Sequence, residues 1–225
     1  AGDSAAASQA LAEAFAASGG LTNWTVTNWS LSTSNGYLED TSVTANMKYT
    51  AGLSRFPNDW TMQFELNTQS SSDFTDDLYI GVLVSGSSGY GIGVFNNKLY
   101  ASGFSGWSDT NTPLNVFTDG AGSSFANDSS WHTVKVIHND LTTGTSVYYD
   151  GVLKNSYSVG APFGSSLLDS LKFTLVKGTI SPLVRNFYLS ASTGTITSRT
   201  FDTAFSTPIY GPFGATVTGS TATFS

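Results

Sequence analysis

No cysteine occurs among the 225 residues, which excludes disulfide stapling and thiolate metal sites. A chain of this length can bury enough surface to be stable without either, so the absence does not identify a compartment. Charge is scarce as well: Asp, Glu, Lys and Arg make up 11% of the residues, against about 25% in an average soluble protein. The surface must therefore be built mostly from Ser, Thr, Asn and Gly, a composition that suits secreted or virion proteins. Nine Lys and Arg give a formal net charge of −7 and form no cluster, so the basic footprint that neutralises phosphates is missing and nucleic acid is not an expected partner. Long apolar runs are missing too. "LYIGVLV" at 78–84 is far short of the roughly 20 residues that span a bilayer, and no membrane insertion is expected. The opening "AGDSAAASQALAEAFAASGG" lacks a basic stretch followed by a continuous apolar one, so it does not read as an uncleaved signal peptide. A terminus left by a signal peptidase and a start trimmed of Met both fit it.

What is present is alternation. In "DWTMQFELN", Trp60, Met62, Phe64 and Leu66 share one face while Thr61, Gln63, Glu65 and Asn67 share the other. In the run at 78–84, Leu78, Ile80, Val82 and Val84 point one way. Similar patterns predict further strands at 22–30, 36–39, 43–50, 88–95, 98–103, 131–138, 145–150, 152–158, 171–177 and 182–190. So many short strands at this spacing give the expected fold class: all-β, an antiparallel two-sheet jelly-roll sandwich occupying residues 21–190. The first twenty residues differ. Ala fills most positions, Asp3 or Ser4 can cap, and Gly19-Gly20 can stop, so 4–18 reads as a short N-terminal α-helix with Leu11 and Phe15 on one stripe. A helix that short is marginal alone in water and is expected to serve in attachment or oligomerisation. Residues 191–225 loosen into a C-terminal arm whose end, "ATVTGSTATFS", can pair as a strand. The stretch 105–130 is a long excursion with little alternation, and long excursions in compact domains often carry function.

The candidates for chemistry are few. His132 and His138 stand six apart on one predicted strand, so they share a face but lie about 20 Å apart and cannot share a metal ion. Val134 and Val136 between them make the row look like core with a histidine at each end. The only glutamates, Glu13, Glu39 and Glu65, fall on separate elements, whereas glycoside hydrolysis uses two carboxyl groups within several Å; Glu65 reads as an ordinary exposed position. Asp73, Asp76 and Asp77 in "SSSDFTDDLY" put the hard oxygen donors that Ca2+ needs in one loop, but no EF-hand spacing is present, and a solvated turn leading into the strand at 78–84 is the preferred reading, with Ca2+ as the alternative. The glycines of "GSSGYGIG" at 86–93 have no βαβ context and suit bulges or close packing rather than a dinucleotide. Aromatics give the stronger binding signal. Tyr100, Phe104 and Trp107 stand beside Asp109 and Asn111 in "LYASGFSGWSDTN": sugar rings stack on aromatic faces, and Asp and Asn bond their hydroxyls. Phe104 and Trp107 could instead cover the end of a sandwich.

Two stretches carry a family resemblance. "WHTVKVIHNDLTTGTSVYYDG" at 131–151 is similar to the Trp-His-x-Val strand, turn, strand and Asp-Gly turn of the laminin-G and concanavalin A-like lectin/glucanase families. "LTNWTVTNWSLSTSNGYLED" and "LVRNFYLS" resemble their opening and closing strands. The resemblance implies that Trp131, His132, Val134 and Val136 are structural and that Asp150-Gly151 is a turn. It implies no activity: the Glu-x-Asp-x-x-Glu strand of the laminarinase-like hydrolases and the Arg-Glu-Arg and Gln-x-His strands of the alginate lyases have no match. With its Ala-rich start, its Ser, Thr and Gly richness and its scarce Lys, the chain also resembles phage appendage proteins. The expectation is a non-enzymatic virion surface protein, a capsid-decoration, head-fibre or tail component, that adheres to glycans through a lectin-like domain and assembles as a homo-oligomer or with capsid or tail proteins. The alternative is a secreted or cell-surface carbohydrate-binding module, and less so a polysaccharide hydrolase or lyase.

Overall fold

The alternation at 60–67 becomes, in the computed structural model, a strand whose Trp60, Met62, Phe64 and Leu66 are almost wholly buried while Thr61, Gln63 and Glu65 face outward. Residues 9–13, 21, 23–32, 37–40, 44–56, 58–69, 77–109, 112–140, 142, 144–158, 167–176 and 182–191 are described. They contain strands β1 (Gln9–Glu13), β2 (Trp24–Thr27), β3 (Trp29–Ser32), β4 (Tyr37–Asp40), β5 (Thr44–Tyr49), β6 (Trp60–Asn67), β7 (Asp77–Ser85) and β8 (Ser88–Phe95). These are followed by β9 (Lys98–Ser105), β10 (Asn115–Phe117), β11 (His132–Asn139), β12 (Gly144–Tyr149), β13 (Val152–Ser158), β14 (Ser170–Val176) and β15 (Leu183–Ala191).

The strands form two antiparallel sheets packed as a sandwich. One has the order β13-β12-β11-β6-β15-β4-β3 with β1 added against β15; the other runs β10-β9-β8-β7-β14-β5-β2. Their inner faces meet in one core that includes Leu38, Met47, Trp60, Phe64, Tyr90, Phe173 and Phe187, and each such side chain taken out of water contributes about 1.5–3 kcal/mol. Hairpin turns follow residue chemistry. Asn96-Asn97 joins β8 to β9 and Asp150-Gly151 joins β12 to β13, and all four residues have positive φ, the backbone that two-residue hairpins demand.

Three expectations need correction. The helix over 4–18 is not what residues 9–13 adopt: they pair antiparallel with Phe187 to Ser190 of β15, and the rest of that segment lies outside the described residues. Alanine favours a helix locally, but an isolated short helix is unstable in water, whereas the flank of β15 offers unpaired N–H and C=O groups that a strand can satisfy. The single strand predicted at 22–30 is two strands, β2 and β3, belonging to different sheets. The break is Asn28, with φ 61 and a side-chain Nδ2 that donates to Thr44 O at 2.7 Å. The excursion at 105–130 contains β10, three residues long and too short to show a period. Most of the C-terminal arm, from residue 192 on, lies outside the described residues.

Candidate binding groove on the seven-stranded sheet

The outer face of this sheet is shaped by a lane without side chains. Gly81 on β7 and Gly89, Gly91 and Gly93 on β8 all occupy outward positions, and Gly81 faces Gly91 across the pair. Trp107 drops into that lane. A Cβ on Gly81 would lie 2.5 Å from Trp107 Cζ3, so only glycine admits the ring. Trp107, Phe104, Tyr79 and Leu83 make a second small core on this face, with Trp107 edge-on to Phe104 at 4.8 Å and to Tyr79 at 6.4 Å between centroids. The indole Nε1 donates to Thr174 Oγ1 at 3.0 Å, whose hydroxyl donates to Asn46 Oδ1 at 2.7 Å. Gly106, with φ +65, makes the bend that brings the chain up from β9, and β10 returns it to the edge of β9.

The chain thus straps the sheet, and its anchor places Asp109. The carboxylate accepts from Lys172 Nζ at 2.8 Å and from Lys48 Nζ at 3.0 Å, and Lys172 also donates to Trp107 O at 2.9 Å. Hydrogen bonds from Lys172 first, and then from Lys48, hold the Asp109 carboxyl below the usual carboxylate range. Burial is the largest influence on Lys172 and pulls it below an ordinary lysine, against the hold of Asp109. Between this strap and the β2 edge lies a groove of about 270 Å³ lined by Thr25, Thr27, Asn46, Met47, Lys48, Thr50 and Asp109. Thr25 and Thr27 point outward because Trp24 and Val26 are turned to the core, and Asn46 and Lys48 because Ala45, Met47 and Tyr49 are. Three hydroxyls, an amide, an ammonium and a carboxylate interleave there, donors beside acceptors.

The sequence candidates fare differently. Phe104 and Trp107 are fully buried and Tyr100 is 7% exposed, stacked on Phe95 at 4.2 Å. None offers an open ring face to a sugar: Gly81 leaves room for Trp107 and Phe104 to pack down on the sheet, and Tyr100 is enclosed by Phe95 and the backbone at Gly122. Asp109 reaches the groove; Asn111 lies outside the described residues. The groove's other residues carry no motif, and their one signal in the sequence is the outward register of Thr25, Thr27, Asn46 and Lys48 on two strands whose adjacency the sequence does not reveal. Asp73 and Asp76 lie outside the described residues, Asp77 begins β7, and among the described residues no cluster of acidic and histidine side chains is placed to hold a metal.

The two histidines are both packed. His138 is stacked at 3.9 Å on Tyr90 and at 5.4 Å on Trp60, with Nδ1 paired to Thr145 Oγ1 at 3.0 Å; burial pushes it down to about 4. His132 sits over Tyr149 at 4.9 Å, bonded at Nδ1 to Asp150 at 2.7 Å and at Nε2 to Asp128 at 3.0 Å. Desolvation pulls His132 down, but its bonds to Asp128 and Asp150 together outweigh this and leave it above its ordinary value. Val134 and Val136 between them are fully buried, the row the spacing predicts.

No family model and no curated protein matches the chain. Solved structures do. A chain described with the endo-acting O-glycanases that prominent members of the human gut microbiota express to initiate mucin breakdown is similar over 82% of this chain and 100% of its own, with TM-score 0.57 and 10% identity. A sialidase is similar over 83% of this chain, with TM-score 0.55 and 13% identity, although this covers 18% of the sialidase. The Emp46p carbohydrate recognition domain in its potassium-bound form matches over 75% of this chain and 88% of its own, with TM-score 0.51 and 16% identity. At these identities the likeness is one of fold alone, a β-sandwich of two antiparallel sheets.

Proposed function

We propose that the protein is a non-catalytic carbohydrate-binding module, secreted or displayed at a cell surface, that holds a neutral saccharide in the groove between Thr25 and Asp109. The observation that carries this reading is the groove's interleaved hydroxyl, amide, ammonium and carboxylate groups, which match the alternating donors and acceptors of a polyhydroxylated ring. The likeness in fold to the Emp46p carbohydrate recognition domain supports it. Without a stacking ring the ligand is held by hydrogen bonds alone, and a Kd on the order of 1 mM, about 4 kcal/mol, is expected.

Binding without turnover is favoured because Asp109, the groove's carboxylate, is held ionised by two lysines, while a glycosidase acid needs a carboxyl whose pKa is raised. The virion role receives no support from the likenesses in fold. The termini on which it rested lie outside the described residues, apart from β1 and Ala191. A panel of neutral mono- and oligosaccharides, measured by calorimetry with the full chain and with Lys48→Ala, tests the reading. Binding weakened about tenfold or more in the variant agrees with it; equal binding by both chains, or release of reducing ends, refutes it.

A further inference from the structure

The opposite sheet carries a second cluster that the groove does not use. On β15 the register against β6 slips between Arg185, which faces Glu65, and Tyr188, which faces Gln63, so Phe64 is opposed by both Asn186 and Phe187. Asn186 sits at φ 50, a left-handed backbone that is uncommon outside glycine. This bulge breaks the alternation of the strand and turns two successive side chains, Arg185 and Asn186, onto one outer face. Both converge on a single oxygen: Arg185 Nε donates to Glu65 Oε2, and Asn186 Nδ2 donates to the same atom at 2.8 Å. The guanidinium lies 4.0 Å above the Trp131 ring, and Tyr37 lies 6.1 Å from Trp131.

Arg185 is therefore pinned on two sides, yet one-third of its side chain is exposed. Among the described residues its terminal nitrogens make no hydrogen bond, and Nε alone is used. A guanidinium held by Nε to one carboxylate still presents the fork of its two terminal amino groups, the geometry that takes a second carboxylate bidentately. The same outer face also carries Tyr188, 45% exposed, and Lys135, both level with Gln63.

We propose that Arg185 is the anchor of a second ligand site, specific for a carboxylate-bearing sugar residue such as a sialic or uronic acid. Glu65, Asn186 and Trp131 serve as positioning residues that fix the guanidinium. The proposal rests on the reading of this protein as glycan-binding but on a face opposite the groove, so the two can fail separately. Glu65 keeps the face from being strongly cationic, which makes the site one for a shaped carboxylate rather than for anions at large.

The test is an NMR titration of the full chain with the methyl glycoside of N-acetylneuraminic acid, its methyl ester and sodium acetate, following the Arg185 Nε–H and Trp131 indole signals. The account expects the acid to shift both signals, the ester to bind at least tenfold more weakly, and acetate to leave them unmoved at the same concentration. Arg185→Lys keeps the charge but loses the fork and should weaken the acid at least tenfold. Arg185→Gln with Glu65→Gln removes both partners together, so a folded chain without the site is available if the lysine variant is unstable. Acid binding that survives in these variants, equal binding of acid and ester, or loss of acid binding in Lys48→Ala instead would overturn the proposal. So would the absence of any shift at Arg185.

Discussion

The two outer faces of the sandwich are built on opposite principles. On the seven-stranded sheet, outward glycines leave a lane that the chain fills with its own Trp107, so the face is closed by an apolar plug and the remaining opening is a polar groove at one edge. On the eight-stranded sheet, a bulge gathers Arg185 and Asn186 onto Glu65 with Trp131 beneath the guanidinium. One face spends its aromatic residues on internal packing, and the other uses an aromatic to orient a charge that still meets solvent. An exposed-looking aromatic loop in a sequence is therefore an ambiguous sign of a binding platform. What decides is whether the strands it crosses have side chains of their own.

The sharpest way to break the contrast is to empty the plug. Trp107→Ala should cost about 3–5 kcal/mol, the range for truncating a large buried aromatic, seen as a lower denaturant midpoint, and should release Asp109 from the groove while leaving the Arg185 cluster intact. Acid attacks what the two faces share. His138 lies between the sheets with its folded pKa pushed to about 4 from an ordinary 6.5, so above pH 6.5 it contributes no pH dependence. As pH falls from 6.5 towards 4 the unfolded chain gains a proton that the folded chain refuses, and stability drops by about 3 kcal/mol at the acid limit. Denaturant midpoints at pH 7 and pH 4 should therefore lie closer together in His138→Gln than in the unaltered chain; an unchanged gap would show that the ring does not carry the effect.

Gly81→Val tests the lane itself. The new Cβ collides with the indole, and the overpacking should cost about 1–3 kcal/mol with a change in tryptophan fluorescence, whereas a silent substitution would mean that the lane is not needed. Asp109→Asn is the mildest. It leaves the buried Lys172 ammonium with Trp107 O alone, but the carboxylate is 64% exposed, so solvent limits the loss to about 1 kcal/mol, while saccharide binding should suffer more than stability does.

The strands were legible because alternation reports burial directly: the Val134–Val136 row and the inward set Trp60, Met62, Phe64 and Leu66 are where period two puts them. What alternation cannot report is which strand lies beside which. Thr25 and Thr27 face Lys48 and Asn46 only because β2 pairs with β5 across a sheet change at Asn28, and no local pattern encodes that. The same blindness explains Trp107, whose neighbours at Gly81 and Thr174 are distant in sequence. Glu65 reads as an ordinary exposed position until the slip in β15 brings Arg185 and Asn186 to it. The alanine-rich start shows the other limit, since local helix preference gave way at Gln9–Glu13 to the open flank of β15.

The central claim is that a saccharide occupies the groove at the β2 edge and not the aromatic loop. An amide-resolved 1H–15N titration of the full chain with the best-binding neutral saccharide tests it most directly. The account predicts that the largest shifts fall on Thr25, Thr27, Asn46, Lys48, Thr50 and Asp109, with the Trp107 indole signal nearly still because that ring is buried. Shifts centred on Phe104 and Trp107 with the groove residues unmoved, or no saccharide-dependent shift at all, would contradict it.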